Sequence, residues 1–186
     1  MLKIAPATKA AMDGAAGGNS VQGCPSAVVR APDVAAALAK MPPEFQAEYA
    51  AAEAAGWVRP PGHPYAGKPW YPPNDGATGP PELTTIDPPA KLDRVGEETG
   101  SYLSPAGASF EERALPERKP LKNYTVTAPV TVEKAIIAPW FGQPGGGTQY
   151  RMCRPDPEPD PLTGEMKRPS VSVNTQKLEG KMVDDK

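Results

Sequence analysis

The chain has 186 residues and a mass of 19.6 kDa, and 39% of its residues are hydrophobic, which suits one compact domain with tails rather than two full domains. Its 26 prolines and 18 glycines together make roughly a quarter of the residues, so loops must carry much of the fold. The 20 Lys and Arg nearly balance the 22 Asp and Glu, for a formal net charge of -2, and this argues against a nucleic acid or an anionic membrane as partner.

The single histidine, His63, excludes a site built on several imidazole ligands and leaves at most one Ser-His or Cys-His pair. Cys24 and Cys153 form no C-x-x-C pattern, so a disulfide between them and two free thiols are both open. No catalytic metal is expected. No apolar run reaches the roughly 18 to 20 residues of a membrane span, and Met1 to Gly18 lacks the continuous apolar core of a secretory signal. The expectation is a soluble chain that would be exported by a specialised route.

Residues 1–30, rich in Ala, Gly and Ser, read as a flexible leader. Residues 31–56 read as two short helices: Val34, Leu38 and Met41 stand at i, i+4 and i+7, as do Phe45, Tyr49 and Ala52. Pro42-Pro43 separates them, Pro43 suits a first helical turn and Gly56 a C-terminal cap. From Trp57 to Pro89 ten prolines are interspersed with Trp57, Tyr65, Trp70 and Tyr71, a density that forbids regular helix and favours a surface wrap held by aromatic packing.

Strand patterns follow at Leu83 to Ile86, Leu92 to Val95, Tyr124 to Thr127 and Val130 to Val132, the last prolonged by Ile136-Ile137. They predict an α+β domain, a small, mostly antiparallel sheet with N-terminal helices and Pro-rich loops, occupying 57–186. The run 154–161, Arg-Pro-Asp-Pro-Glu-Pro-Asp-Pro, reads as an extended acidic loop; its three acids could attract calcium, but a solvated charged loop is the simpler reading. Val171 to Val183 fits either a helix or a strand.

Two regions carry candidate chemistry. In Ala138-Pro139-Trp140-Phe141-Gly142-Gln143-Pro144-Gly145-Gly146-Gly147-Thr148-Gln149-Tyr150, three consecutive glycines would let a ligand approach the backbone, or would simply form a turn between strands. The run is not a P-loop, since no Lys-Ser/Thr follows the glycines, and Tyr150 stands where a dinucleotide fingerprint needs its last glycine. In Leu92-Asp93-Arg94-Val95-Gly96, Tyr102-Leu103-Ser104-Pro105-Ala106-Gly107 and Phe110-Glu111-Glu112-Arg113-Ala114-Leu115-Pro116, both arginines have apolar neighbours. Two guanidinium groups can hold a pyrophosphate bidentately and Tyr102 can stack on a flat ring, unless the arginines are ordinary salt-bridge partners.

Together with Tyr71-Pro72-Pro73-Asn74-Asp75-Gly76, these blocks resemble the NAD-hydrolysing domain of the tuberculosis necrotizing toxin type, also found in fungal surface NADases and bacterial polymorphic toxins. The resemblance runs from Gly56 to Tyr150. It implies that Arg94 binds cofactor phosphate, Arg113 assists, Tyr102 flanks the nicotinamide, Ser104 and Gly147 line the substrate site, and Gln149 is the essential residue, with Gln143 as the fallback. Val95 departs from the aromatic common at its position, and the resemblance supplies no calcium ligands in the acidic loop.

It further implies an NAD(P) glycohydrolase, taking NAD or NADP as substrate with no cofactor, that releases nicotinamide and ADP-ribose and depletes NAD as a delivered toxin or effector. A producer of such an enzyme needs an immunity or inhibitor protein as partner. The inventory fits this chemistry, because nicotinamide departs as a neutral molecule from a cationic pyridinium and needs no general acid, unlike a glycosidase with paired carboxylates. The alternatives are an ADP-ribosyltransferase, with Glu111 or Glu112 activating an acceptor, and a non-catalytic Pro-rich binding module.

Overall fold

The computed structural model describes residues 31–161 and 163–185, and the expected leader lies outside them. Helix α1 spans Ala31–Leu38 and α2 spans Pro43–Ala54, with Pro43 in the first turn. Gly56, at φ +65°, closes α2: its N–H bonds to Glu53 O at 2.9 Å, and the N–H of Trp57 reaches Ala52 O at 2.7 Å. The face that the spacing predicts, Phe45, Tyr49 and Ala52, is the buried one.

A seven-stranded sheet follows, with every pairing antiparallel. Its strands are β1 (Glu82–Ile86), β2 (Ala90–Val95), β3 (Tyr102–Pro105), β4 (Leu121–Val126), β5 (Val130–Ile136), β6 (Thr148–Met152) and β9 (Met182–Asp184), in the order β1-β5-β6-β3-β2-β4-β9. The β-branched runs identified four of these. Strands β3 and β6 carry no such run; each is drawn into the sheet by partners on both sides, β3 by β2 and β6, and β6 by β3 and β5.

The acidic run departs from the expected loop. Its Glu158–Pro159 forms β7, paired with β8 (Met166–Lys167) as a separate two-stranded ribbon outside the main sheet. A two-residue edge pairing is one that proline permits. The undecided segment resolves into both forms, helix α4 (Val173–Leu178) and strand β9.

Two apolar clusters hold the domain together. The first joins Leu92, Leu103, Tyr124, Val126, Val130, Val132, Met152 and Met182 of the sheet to Val171, just before α4, and Val173, at its start. The second packs α2 against the end of β5 and beyond it, with Phe45, Tyr49 and Ala52 meeting Ala114, Ile137, Ala138 and the fully buried Trp140. Tyr49, Phe45 and Trp57 meet the Trp140 ring edge-on at centroid distances of 5.5, 5.3 and 5.8 Å. The Pro-rich segment wraps this side, and Trp140 Nε1 donates to the Trp70 carbonyl.

Candidate functional site

A cleft of about 730 Å³ opens beside the second cluster, within the size range of small-molecule sites. Its walls come from the turn at 71–76, the end of β2, strand β3, the segment after α3 (Phe110–Arg113), the end of β5 and strand β6. Arg94, Tyr102, Ser104, Arg113 and Gln149 all line it, brought together from sequence-distant blocks by the central strands.

Arg94 is held by neutral groups. Its Nε donates to Glu97 O at 2.6 Å and its Nη1 to Tyr102 O at 2.7 Å. The guanidinium lies on the bare face of Gly100, where a Cβ would stand 1.8 Å from Nη2 and 2.2 Å from Cζ. No carboxylate forms an ion pair with Arg94 among the described residues. Burial lowers its pKa from the usual guanidinium range, opposed by Tyr124 and Glu97, yet an arginine stays protonated at any working pH. The result is a fixed positive charge left for a ligand.

Arg113 is placed differently. It closes α3, whose capping box joins Glu112 N to Ser109 Oγ at 3.1 Å and Ser109 N to Glu112 Oε2 at 2.7 Å. Its Nη2 bonds to Asp93 Oδ1 at 2.5 Å and, with Nε, to Ala108 O, while Asp93 Oδ2 accepts from Gly107 N at 3.0 Å. The two side chains are 6% and 0% exposed, so Arg113 reaches the cleft wall with its charge already balanced. Asp93, adjacent to Arg94 in sequence, is the counter-ion that sequence reasoning missed; its pairing spans 20 residues and leaves no local pattern.

Tyr102 is half-buried on β3, paired in register with Arg151. Burial, with the negative charge of Asp75 as the next cause, pushes its phenol up to about 12, so it is a neutral ring throughout the working range. Gln149 sits on β6, not in an exposed loop as the glycine run suggested. Its Nε2 donates to Asp75 O at 3.1 Å, which leaves the amide oxygen as the acceptor.

Three sequence expectations are corrected by this geometry. Gly147 does not line the cleft: its N–H bonds to Glu112 O at 3.1 Å, and a Cβ there would stand 2.8 Å from the same oxygen. Gly145, at φ +64°, likewise leaves no room for a Cβ, which would come within 2.6 Å of the Ile137 and Ala138 carbonyls. Gly145 and Gly147 therefore let the chain pack on the end of β5 and on α3, while Gly146, at φ +87°, faces open space. Gln143 is also away from the cleft, with its Nε2 bonded to Leu115 O at 2.7 Å. Glu111 and Glu112, the carboxylates a transferase would need, are engaged with Arg118 and with the capping box, and neither lines the cleft.

His63 stands outside the cleft and accepts the Tyr65 N–H at Nδ1, 3.0 Å away. Cys153 is buried, and the question of a disulfide involves Cys24, outside the described residues. Among the described residues no group of three or more His, Cys, Asp or Glu is placed to hold a metal ion, and no helix is long and apolar enough to cross a membrane.

Fold and site define a class: a small antiparallel α+β domain whose cleft offers an anchored guanidinium, a neutral phenol and an amide, suited to an anionic ligand with a flat ring. The family model described as tuberculosis necrotizing toxin matches residues 85–166 of the chain. The chain is also similar to the conidial surface nicotinamide adenine dinucleotide glycohydrolase nadA of Aspergillus fumigatus, 44% identical over 70 residues. That match covers 32% of this chain and 30% of the fungal protein, so the chain spans under a third of its relative's length. Among solved structures, it aligns with the tuberculosis necrotizing toxin complexed with its immunity factor, at 25% identity and a TM-score of 0.47 over 78% of this chain and 84% of that one.

Proposed function

We propose that this chain is an NAD(P) glycohydrolase. The observation that carries the reading is the convergence of Arg94, Tyr102 and Gln149 on one cleft of dinucleotide size. In the reaction the bond between the ribose C1′ and the nicotinamide nitrogen breaks. Its electron pair goes to the ring, which leaves as neutral nicotinamide, and water adds to the cationic sugar carbon and loses a proton. NAD and water thus give nicotinamide, ADP-ribose and a proton, with no oxidant or cofactor needed.

What a protein must supply for such a step is position and electrostatics. Arg94 would hold the pyrophosphate, Tyr102 would lie against the nicotinamide, and the Gln149 oxygen would accept a hydrogen bond from the ribose or from the attacking water. Arg113, already neutralised by Asp93, would shape the wall, and Ser104 would line it. Hydrolysis is preferred over transfer to a protein acceptor because Glu111 and Glu112 are committed elsewhere.

The toxin-type relatives support a role for the protein outside its producer, delivered into a target cell where it depletes NAD, with an immunity protein shielding the producer. Incubating the purified chain with NAD or NADP, with and without an acceptor protein, and measuring free nicotinamide and ADP-ribose tests the reading. Nicotinamide without ADP-ribose would indicate transfer, and no nicotinamide from either substrate would overturn the enzyme assignment.

A further inference from the structure

The turn preceding Ala77, in the wall of the cleft, runs through a left-handed backbone. Asn74, Asp75 and Gly76 are three consecutive residues in the left-handed region, at φ 53°, 50° and 78°, where a non-glycine residue is uncommon and costly. The strain is held in place from several directions. Asn74 Nδ2 donates to Ala77 O at 3.2 Å and to Gly79 O at 3.1 Å. Gly76 N bonds to Pro73 O at 3.1 Å, Gly76 O accepts from Ala138 N at 2.7 Å, and Thr78 N reaches Ile136 O at 2.9 Å. The turn is thus fastened to the end of β5, the neighbour of the strand that carries Gln149.

This fastening sets Asp75 in the wall of the cleft. No hydrogen bond or ion pair engages its carboxylate among the described residues, whereas its main-chain carbonyl fixes the Gln149 amide. Two kinds of charge therefore meet at Tyr102. Arg94 bonds to the tyrosine's backbone carbonyl, and the negative charge of Asp75, opposed by Arg151, is felt at its phenol. A cleft for a dianionic pyrophosphate alone has no use for a free carboxylate, which would repel that ligand.

We infer that Asp75 faces the positively charged nicotinamide riboside end of the substrate, and that the strained turn exists to hold its carboxylate there. The inference rests on the glycohydrolase reading. NAD carries one positive charge at that end, on the pyridinium before cleavage and on the sugar carbon as the bond opens, so one fixed anion favours the cation along the whole path. Together with Arg94, Asp75 gives the cleft a polarity that orients the substrate, phosphates toward one residue and nicotinamide toward the other.

The test compares the wild type with Asp75→Asn, which keeps the shape, tolerates the left-handed backbone and removes the charge. Asp75→Gly serves as the second variant should the first fail to fold. Nicotinamide release from NAD gives kcat and KM, and calorimetric titration gives the affinities for NADH, whose ring is neutral, and for ADP-ribose, which has none. The expected result is a loss of about tenfold in kcat/KM, the scale of one charge–charge interaction made by an exposed carboxylate, with NADH and ADP-ribose binding unchanged.

Unaltered kcat/KM would overturn the assignment of Asp75 while leaving the glycohydrolase reading in place. Equal weakening of all three ligands would also overturn it, since that is the signature of a merely structural role. If the wild type releases no nicotinamide, the functional reading fails, and NAD can then be titrated directly: wild-type preference for NAD over NADH that disappears in Asp75→Asn supports the charge contact, and no such preference overturns it.

Discussion

Replacing Gly100 by alanine is the most discriminating perturbation of the cleft, because it acts on Arg94 without touching that residue. Gly100 has no left-handed backbone to strain, so alanine itself fits the chain, but its Cβ would fall 1.8 Å from Arg94 Nη2 and 2.8 Å from Nη1. The colliding atoms are the far end of a flexible side chain, so the guanidinium swings away and the backbone stays. Arg94 then loses its bonds to Glu97 O and Tyr102 O, at about 1 kcal/mol each, part of which water restores.

A stability loss of about 1–2 kcal/mol should therefore accompany a much larger functional one. A charge-assisted hydrogen bond to phosphate contributes about 1.5–3 kcal/mol, and each 1.4 kcal/mol is tenfold, so kcat/KM for NAD should fall roughly 10- to 150-fold. Arg94→Ala should match this loss, and Arg94→Lys should fall between it and the wild type, since lysine keeps a charge but not the fork. The assay is steady-state nicotinamide release with thermal midpoints measured in parallel. Wild-type kcat/KM in Gly100→Ala would refute the claim that the position of Arg94 matters.

Gln149→Ala should abolish nicotinamide release at an unchanged circular dichroism spectrum, and full activity there would remove the amide from the mechanism. Asp93→Ala strands the buried Arg113 charge and should cost about 3–5 kcal/mol in denaturant melts, whereas Lys91→Ala, which breaks a half-exposed pair with Asp185, should cost under about 1 kcal/mol. Tyr102 binds its proton more tightly in the folded state, so its contribution to stability is fully present below the ordinary phenol value of 10.0 and is lost as the pH rises through about 12. Tyr102→Phe should flatten that alkaline loss by up to about 2 kcal/mol, allowing for solvent screening, and an unchanged alkaline melt would contradict this. Because Tyr102 keeps its proton and His63 lies outside the cleft, the rate should be level from about pH 6 to 8 in both the wild type and His63→Ala.

How far the fold and site were legible depended on the range of the forces involved. The face of α2 and strands β1, β2, β4 and β5 were readable because burial imposes its period within a few residues. Strands β3 and β6 were not, since Tyr102 to Pro105 and Thr148 to Met152 have no alternation of their own and become strands through partners distant in the chain. For the same reason Gln149 read as a loop residue. Arg94 and Arg113 looked alike in sequence, each a cation among apolar neighbours, and only the buried carboxylate of Asp93 separates them. At Gly145 and Gly147 the missing Cβ makes room for carbonyls of the same chain, a requirement that leaves the same mark in the sequence as room for a ligand.

The second apolar cluster has a spectroscopic consequence. All three tryptophans of the chain, Trp57, Trp70 and Trp140, belong to it, and none lies in the sheet cluster. Tryptophan emission is thus blind to half of the interior and sensitive to the half that shares Ala114, Ile137 and Ala138 with the cleft. A melt followed by emission tracks the walls of the site, while the same melt followed by far-ultraviolet dichroism is weighted toward the strands. Coincident midpoints would describe a molecule in which sheet and cleft are one cooperative unit, and an earlier fluorescence transition would describe one whose cleft opens before the sheet yields.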